Sequence, residues 1–527
     1  MYILNLTVLG SMLFFFSACS HKIPEASEHK KPSVTQVSKH KNSLLDDLGQ
    51  SNKNLVKRSA FYSLSSPTDA FSARLFLIDH ATTSLDVQYY IYKTDIIGKV
   101  FSSHLLMAAN RGVKVRILMD DLTTSGKDEQ WQKLASHPNI ELRLFNPNIL
   151  RTSFRNLALL FNVNSLGKRM HNKSLIADGS AAIIGGRNIG DVYFAVSTET
   201  LFLDYDVLAV GKVVPDIYNA FDLYWNSKEA VPSEDILEHN DKHIYLSNIA
   251  DLRKEIKVFE DSAVGKAMLS SDFNQKVSQK NLTFTVADQT DFYYDHPSKV
   301  STDENDNTTH ISAQISEDLK DVQKELIIIS PYFIPSDEMM VKLKEARIRG
   351  VKVIIITNSL ASTDVMPVYS GYQGYIKPLT EMGVELYELK PNSFKKFLAK
   401  EEWLNPNALS LHTKMMVIDN SMLGIGSANI DPRSDKLNTE IFMVINSKKV
   451  AKEARDKLNK VISIENFYRL SWGKHPKEFE DDMTRFGPIW HTMEEGKEKT
   501  YYSPPRVGVW KELATDFVSL LPIKGYL

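Results

Sequence analysis

The sequence predicts an α/β protein made of two copies of one domain, and three observations predict it. Stretches rich in β-branched and aromatic residues alternate with stretches of helical apolar spacing, the pattern of strands followed by covering helices. Several segments recur about 240 residues apart. The composition, 43% hydrophobic and 24% charged over 527 residues, is that of a globular chain with room for two or three domains.

The chain opens on the apolar run YILNLTVLGSMLFFFSA, residues 2–18, closed by Cys19, its single cysteine. A short apolar core followed by small residues is what a signal peptidase reads. FSAC resembles a bacterial lipobox, which implies a signal peptide over 1–19 and an acylated Cys19 that tethers the protein to a membrane. With Ser20 next, the resemblance implies a lipoprotein of a Gram-negative-type envelope, at the periplasmic face or in the outer membrane. One cysteine excludes an intramolecular disulfide and a multi-cysteine metal site. No other segment has the length and apolarity of a spanning helix, which excludes a polytopic membrane protein. Residues 20–55 are polar, rich in Lys and Ser and poor in aromatics, and read as a flexible tether.

The first half runs over 56–310. SLDVQYYIY (84–92) reads as a strand, IIGKVFSSHLLMAANRG (96–112) as a helix stopped at Gly112, and VKVRILMDD (113–121) as a buried strand. The second half, 311–475, repeats these pieces. RGVKVRILMDD (111–121) returns as RGVKVIIITNS (349–359), and IELRLFNPN (140–148) as VELYELKPN (384–392). His171 and His412 are 241 residues apart, as are Asn188 and Asn429. A register held over four segments marks a duplicated domain. Residues 231–310 are more polar and read as an insertion on the first half plus a linker. Residues 476–527 carry Trp490, Trp510 and the ending FVSLLPIKGYL, an extension that either docks on the body or meets a membrane.

Each half holds one short constellation. HNKSLIAD supplies His171, Lys173 and Asp178, followed by GGRN with Asn188; HTKMMVID supplies His412, Lys414 and Asp419, followed by GSAN with Ser427 and Asn429. On a strand, residues two apart share a face, so each His and Lys would project together, while the Asp ends the strand on a turn. This set suits phosphodiester chemistry without a metal. A neutral imidazole can attack phosphorus, splitting one displacement into two. A second, protonated imidazole can serve the leaving oxygen. Two Lys, two Asn and Ser427 would surround the phosphoryl oxygens with charge and donors. A single copy has only one His, so the duplication makes sense if both copies meet in one site. A lone H-x-K-x4-D motif is weak; two in register are not.

The paired H-x-K-x4-D motifs with GG/GS-x-N resemble the phospholipase D superfamily, most closely the C-type cardiolipin synthases and their bacterial relatives. Beyond the motifs, the likeness rests on SLDVQYYIY, RMHNKSLIADGSAAIIGGRNIGDVYF, SLHTKMMVIDNSMLGIGSANIDPRSDKLNTE and SLLPIKGYL, and it spans about 58–527. The resemblance implies two α/β halves, mixed sheets flanked by helices, facing each other across a pseudo-twofold with the active site between them. It implies no metal and no other cofactor, and structural roles for Asp178 and Asp419. It also implies an acidic residue downstream of each His that fixes its tautomer. Matching DYDVLAV (204–210) to TEIFMVI (439–445) selects Asp206 and Glu440, with Asp204 as a rival. His171 would then be the nucleophile, oriented by Asp206, and His412 the general acid, oriented by Glu440.

The expected activity is phosphatidyl transfer, with phosphatidylglycerol as acceptor and phosphatidylethanolamine or a second phosphatidylglycerol as donor; hydrolysis to phosphatidic acid is the alternative. Segments 149–170 and 392–411 mix basic and apolar residues, like rims at a lipid surface or like amphipathic cover helices. A nuclease shares the motifs, but 63 Lys+Arg against 65 Asp+Glu, a net charge of −2, argues against nucleic acid as partner.

Overall fold

Two sheets of the same strand order carry the duplication. Across the first run strands Asp206–Gly211, Ala181–Gly185, Ser174–Ala177, Ser84–Tyr89, Lys114–Asp120, Ile140–Phe145 and Ala230–Pro232. Across the second run Ile441–Asn446, Met422–Gly426, Met415–Ile418, Glu325–Ile329, Lys352–Asn358, Glu385–Leu389 and Phe467–Lys474. The ladders match residue for residue: Leu85 pairs Ala177 and Leu326 pairs Ile418, both shifted by 241. The computed structural model describes residues 29–38, 43–48, 55, 57–124, 126–148, 167–237, 249–303, 310–393, 406–476 and 486–519. The leader 1–19 with Cys19, segments 149–166 and 394–405, and residues 520–527 lie outside the described residues.

Local sequence explains the elements. Strands Ser84–Tyr89 and Lys114–Asp120 are buried on both faces but for Lys114, as parallel neighbours under helices must be. Helix Ile96–Asn110 starts where the Asp95 carboxylate accepts the Gly98 N–H, and helix Asp337–Ile348 where Ser336 accepts from Met339. Both end before a glycine at positive φ, Gly112 at +97° and Gly350 at +86°, a conformation a side chain would strain. Asp178 and Asp419, at φ +53° and +52°, close the turns after their strands. Each carboxylate gathers three backbone N–H groups, from Thr82, Thr83 and Ser84 and from Gln323, Lys324 and Glu325.

The halves share one core. Ile176, Ile184 and Val207 of the first pack in the same apolar cluster as Ile327, Ile354, Val417 and Met443 of the second. Two further clusters lie in one half each, with strand and helix residues together: one under helix Pro67–His80, the other under helix Met366–Glu381.

Three segment readings change. Residues 29–38 are not a free tether, because they lie on the first sheet. Thr35 is buried, its hydroxyl donating to Asp86; Arg116 and Trp225 donate to Ser33, and Arg143 donates to the Lys31 carbonyl. The linker ends earlier than 310: Gln289–Tyr294 is already a strand of the second sheet, paired with Ile441–Asn446. Within the insertion, helix Ile249–Asp261 packs on helix Ile96–Asn110 of the first half. The extension is an integral part of the body. Strands Phe486–Glu494 and Lys497–Tyr501 widen the second sheet, Trp490 donates to buried Glu388, and helix Val509–Ser519 packs on helix Met366–Glu381. Among the described residues no helix is long and apolar enough to cross a membrane.

Candidate active site

The two halves hold each other's histidines. His171 precedes strand Ser174–Ala177 instead of lying on it, and its backbone N–H donates to the Thr439 carbonyl at 2.9 Å. His412 follows strand Ala408–Leu411, which pairs in parallel with Thr200–Leu203, and its N–H donates to the Leu203 carbonyl at 2.9 Å. The residue before each is pinned from its own sheet: Met170 N–H donates to Asp120, and Leu411 N–H to Asn358, both at strand ends. Thr439 and Leu203 each lead directly into a carboxylate, so the exchange is symmetric. His171 Nδ1 lies 2.9 Å from Glu440 Oε2, and His412 Nδ1 lies 2.7 Å from Asp204 Oδ2. A carboxylate at Nδ1 leaves Nε2 to face substrate.

This geometry corrects the sequence pairing twice. The carboxylate at His412 is Asp204, and each acid serves the histidine of the other half. The strand register gives the reason. Gly185 pairs Asp206 and Gly426 pairs Phe442, so the counterpart of Glu440, two residues before Phe442, is Asp204. Asp206 instead accepts from Arg74 and Arg187 at 3.0 Å, fully buried.

Lys173 and Lys414 are buried, and each ammonium donates to the carbonyl of its own histidine. Burial, above all, pulls both lysines down from the usual range; Lys414 lowers Lys173 further, while Asp204 and Glu440 work the other way on Lys414. Burial, Lys173 and Lys414 hold the His171 imidazole well below its ordinary value, so it is neutral at neutral pH. His412 is lowered too, chiefly by burial and Lys414, while Asp204 works the other way. The two acids differ. Burial pushes Glu440 up to about 7. The same burial acts on Asp204, but His412, Lys414 and Arg187 outweigh it and keep the carboxyl below its usual range.

Ser427 does not face a phosphate: its hydroxyl donates to Glu440 at 2.5 Å and accepts the Ile441 N–H, which corrects its predicted role. Ser434 donates to the other Glu440 oxygen at 2.7 Å. The Asn188 side chain accepts from Ile91 N–H and donates to the Tyr193 hydroxyl. Asn429 Oδ1 is buried without a hydrogen-bond partner. Sequence reasoning missed the aromatic lining. Tyr90 stands edge-on to His171 with ring centres 4.8 Å apart, Phe202 stacks on His412 at 5.1 Å, and Tyr193 meets it edge-on at 5.2 Å. Tyr90 lies inside the predicted strand 84–92, but nothing in a strand pattern marks which aromatic reaches a site. Among the described residues no group of three His, Cys, Asp or Glu is placed to hold a metal.

The domain family described as "Cardiolipin synthase, PLD-like domain" matches residues 75–225 and 315–462, each span holding one His-Lys motif. The chain belongs to this phospholipase D-like family of phosphatidyltransferases. Among its relatives, cardiolipin synthase C of Escherichia coli K12 is 35% identical over 88% of this chain and 96% of its own. An uncharacterised protein of Helicobacter pylori 26695 is 33% identical over 97% of both chains. The fold resembles that of the Haemophilus influenzae phosphatidylserine synthase, with a TM-score of 0.53 at 14% identity, over 82% of this chain and 93% of the other. Phospholipase D-like enzymes are thus the frame in which the two motifs must be read.

Proposed function

We propose that the protein is a phosphatidyltransferase of the cardiolipin synthase type, working through a phosphohistidine with no metal. The observation that carries the reading is the crossed pair of histidine–carboxylate contacts beside two buried lysines. In the first step His171 Nε2 attacks the phosphodiester phosphorus. The bond to the headgroup oxygen breaks, and His412 Nε2–H donates its proton to that oxygen. In the second step His412 takes the proton of an acceptor hydroxyl, the resulting oxygen attacks phosphorus, and the P–N bond breaks, returning the electron pair to His171. The asymmetry of the two imidazoles favours these roles. His171, held down further, is the neutral base that a nucleophile must be. His412, beside a carboxylate that stays ionised, holds a proton more readily. Lys173, Lys414 and the amide nitrogens of Asn188 and Asn429 face the phosphoryl oxygens, and the arriving anion restores the full charge of both lysines. Glu440 and Asp204 position the imidazoles.

The substrates are phosphatidylglycerol and phosphatidylethanolamine in a membrane, to which an acylated Cys19 fastens the protein. Purified enzyme given labelled phosphatidylethanolamine and phosphatidylglycerol should form cardiolipin. Phosphatidic acid alone would make it a hydrolase, and no lipid product would overturn the reading. Metabolic labelling with palmitate should mark the wild type and not Cys19→Ala; an unlabelled wild type would refute the anchor.

A further inference from the structure

The two halves differ in chemistry on the outer face of each sheet just behind the catalytic loop. In the first half that space is filled by ions. Arg74, from helix Pro67–His80, and Arg187 both reach Asp206 Oδ2 at 3.0 Å, and Arg74 also donates to the Tyr89 hydroxyl. In the second half the counterparts are apolar. Ile315 and Ala428 stand 241 residues after Arg74 and Arg187, the shift that the ladders fix, and Phe442 takes the register position of Asp206.

Their shapes leave the space open. Alanine replaces a guanidinium side chain. The Phe442 ring packs against Gly424, so close that a Cβ there would meet it at 2.7 Å, and it forms part of the wall. The helix above, Ser312–Asp318, has seven residues against fourteen in Pro67–His80. The result is a cavity of about 620 Å³ with Ile315, Ile334, Met339, Met416 and Phe442 among its walls. Protein interiors are normally close-packed, and a space of this size is that of a ligand site.

We infer that this cavity receives one acyl chain of the phospholipid substrate; the inference rests on the phosphatidyltransferase reading of the site beside it. Three features select a hydrocarbon chain. Ile315, Ile334, Met339, Met416 and Phe442 make a continuous share of the lining apolar, alongside the polar Asn429, Asp431 and Ser434 of the catalytic loop. Asp337 and Glu338, exposed among the lining residues, repel phosphate, which stays with the lysine pair. The inner wall is the catalytic loop itself, for Asn429 and Ser434 line the cavity while Ser434 holds Glu440 on the other side. A chain seated there thus lies next to the group that positions His171. The first half, its space filled by Arg74 and Arg187, offers no matching seat.

The test uses the full chain in detergent mixed micelles, with labelled dioleoyl and dihexanoyl phosphatidylglycerol as separate substrates. Ile315→Trp and Met339→Trp fill the cavity from two different walls. Each variant should lose at least about tenfold in turnover of the long-chain lipid and stay within about twofold on the short-chain one. The fluorescent fatty acid cis-parinaric acid should bind the wild type saturably and the variants far more weakly. Variants that melt like the wild type yet treat both lipids as it does, or lose both equally, overturn the inference. So does the absence of saturable probe binding to the wild type. A wild type that turns over neither lipid but binds the probe saturably, with both tryptophan variants binding it far more weakly, leaves the cavity assignment standing and removes the catalytic reading.

Discussion

At the residue scale, the chemistry depends on which imidazole accepts phosphorus, and the two histidines should fail differently. His171→Ala and His412→Ala should each lose nearly all lipid turnover, since groups acting as a unit are not additive. With a nitrophenyl phosphodiester, whose leaving group needs no proton, His412→Ala should still form the adduct and then stall. Mass spectrometry of the quenched protein should place the phospho group on His171; an adduct on His412 in His171→Ala would reverse the roles. The neighbouring carboxylates give a sharper contrast. Asp204→Asn removes the partner of His412 and should cost about 10²–10⁴ in turnover with little change in melting, as tautomer control does elsewhere. Asp206→Asn leaves Arg74 and Arg187 buried without their shared anion, and should cost about 3–5 kcal/mol of stability. Thermal melts beside kinetics separate the two, and a stable but inactive Asp206→Asn would contradict the assignment.

At the element scale, the strands after residue 485 are held by a buried acid. Glu388, on strand Glu385–Leu389, accepts from Trp490 Nε1 at 2.9 Å and from the Tyr369 hydroxyl at 3.2 Å. Burial pushes it up to about 7, the hydrogen bonds only partly opposing. Its folded value lies above its unfolded one, so its favourable contribution is complete below about pH 4.5 and is lost as pH rises towards 7. The loss is of order 3 kcal/mol for a group this deeply buried. Glu388→Gln should therefore flatten the fall in melting temperature between pH 5 and 8 and be the more stable protein at pH 8. An unchanged pH slope would show that Glu388 titrates normally. The pairing of Trp490 with Glu388 could not be read from sequence: Trp490 was visible only as an aromatic in a tail, because the partner lies 102 residues away on another strand.

At the scale of the whole molecule, the site exists only when both halves are folded together. His171 is bonded to Thr439 and Glu440, and His412 to Leu203 and Asp204. An equimolar mixture of His171→Ala and His412→Ala proteins should therefore stay inactive, each chain lacking one of its two histidines. Recovery of activity on mixing would mean that halves exchange between chains. The segment 29–38 shows the same reach across the fold. Its composition is that of a linker, yet Thr35 and Ser33 satisfy Asp86, Arg116 and Trp225, groups whose need for partners no local pattern announces.

The sequence by itself determined the α/β duplication and the two His-Lys pairs, because strand and helix periods are local and because repetition at a shift of 241 is visible without coordinates. It also made one shared site the expectation, since one copy has only one imidazole. The tertiary structure alone decided which acid meets which histidine. Asp204 and Asp206 differ by two residues, lie on the same strand approach and have the same chemistry. Only the pairing of Gly185 with Asp206 fixes the position that is reached from the other half. It alone decided that Ser427 serves Glu440, since a hydroxyl near a motif looks the same from the sequence whichever way it points. Side-chain identity is written along the chain, but the partner of a buried polar group is set by elements that meet only in the folded state.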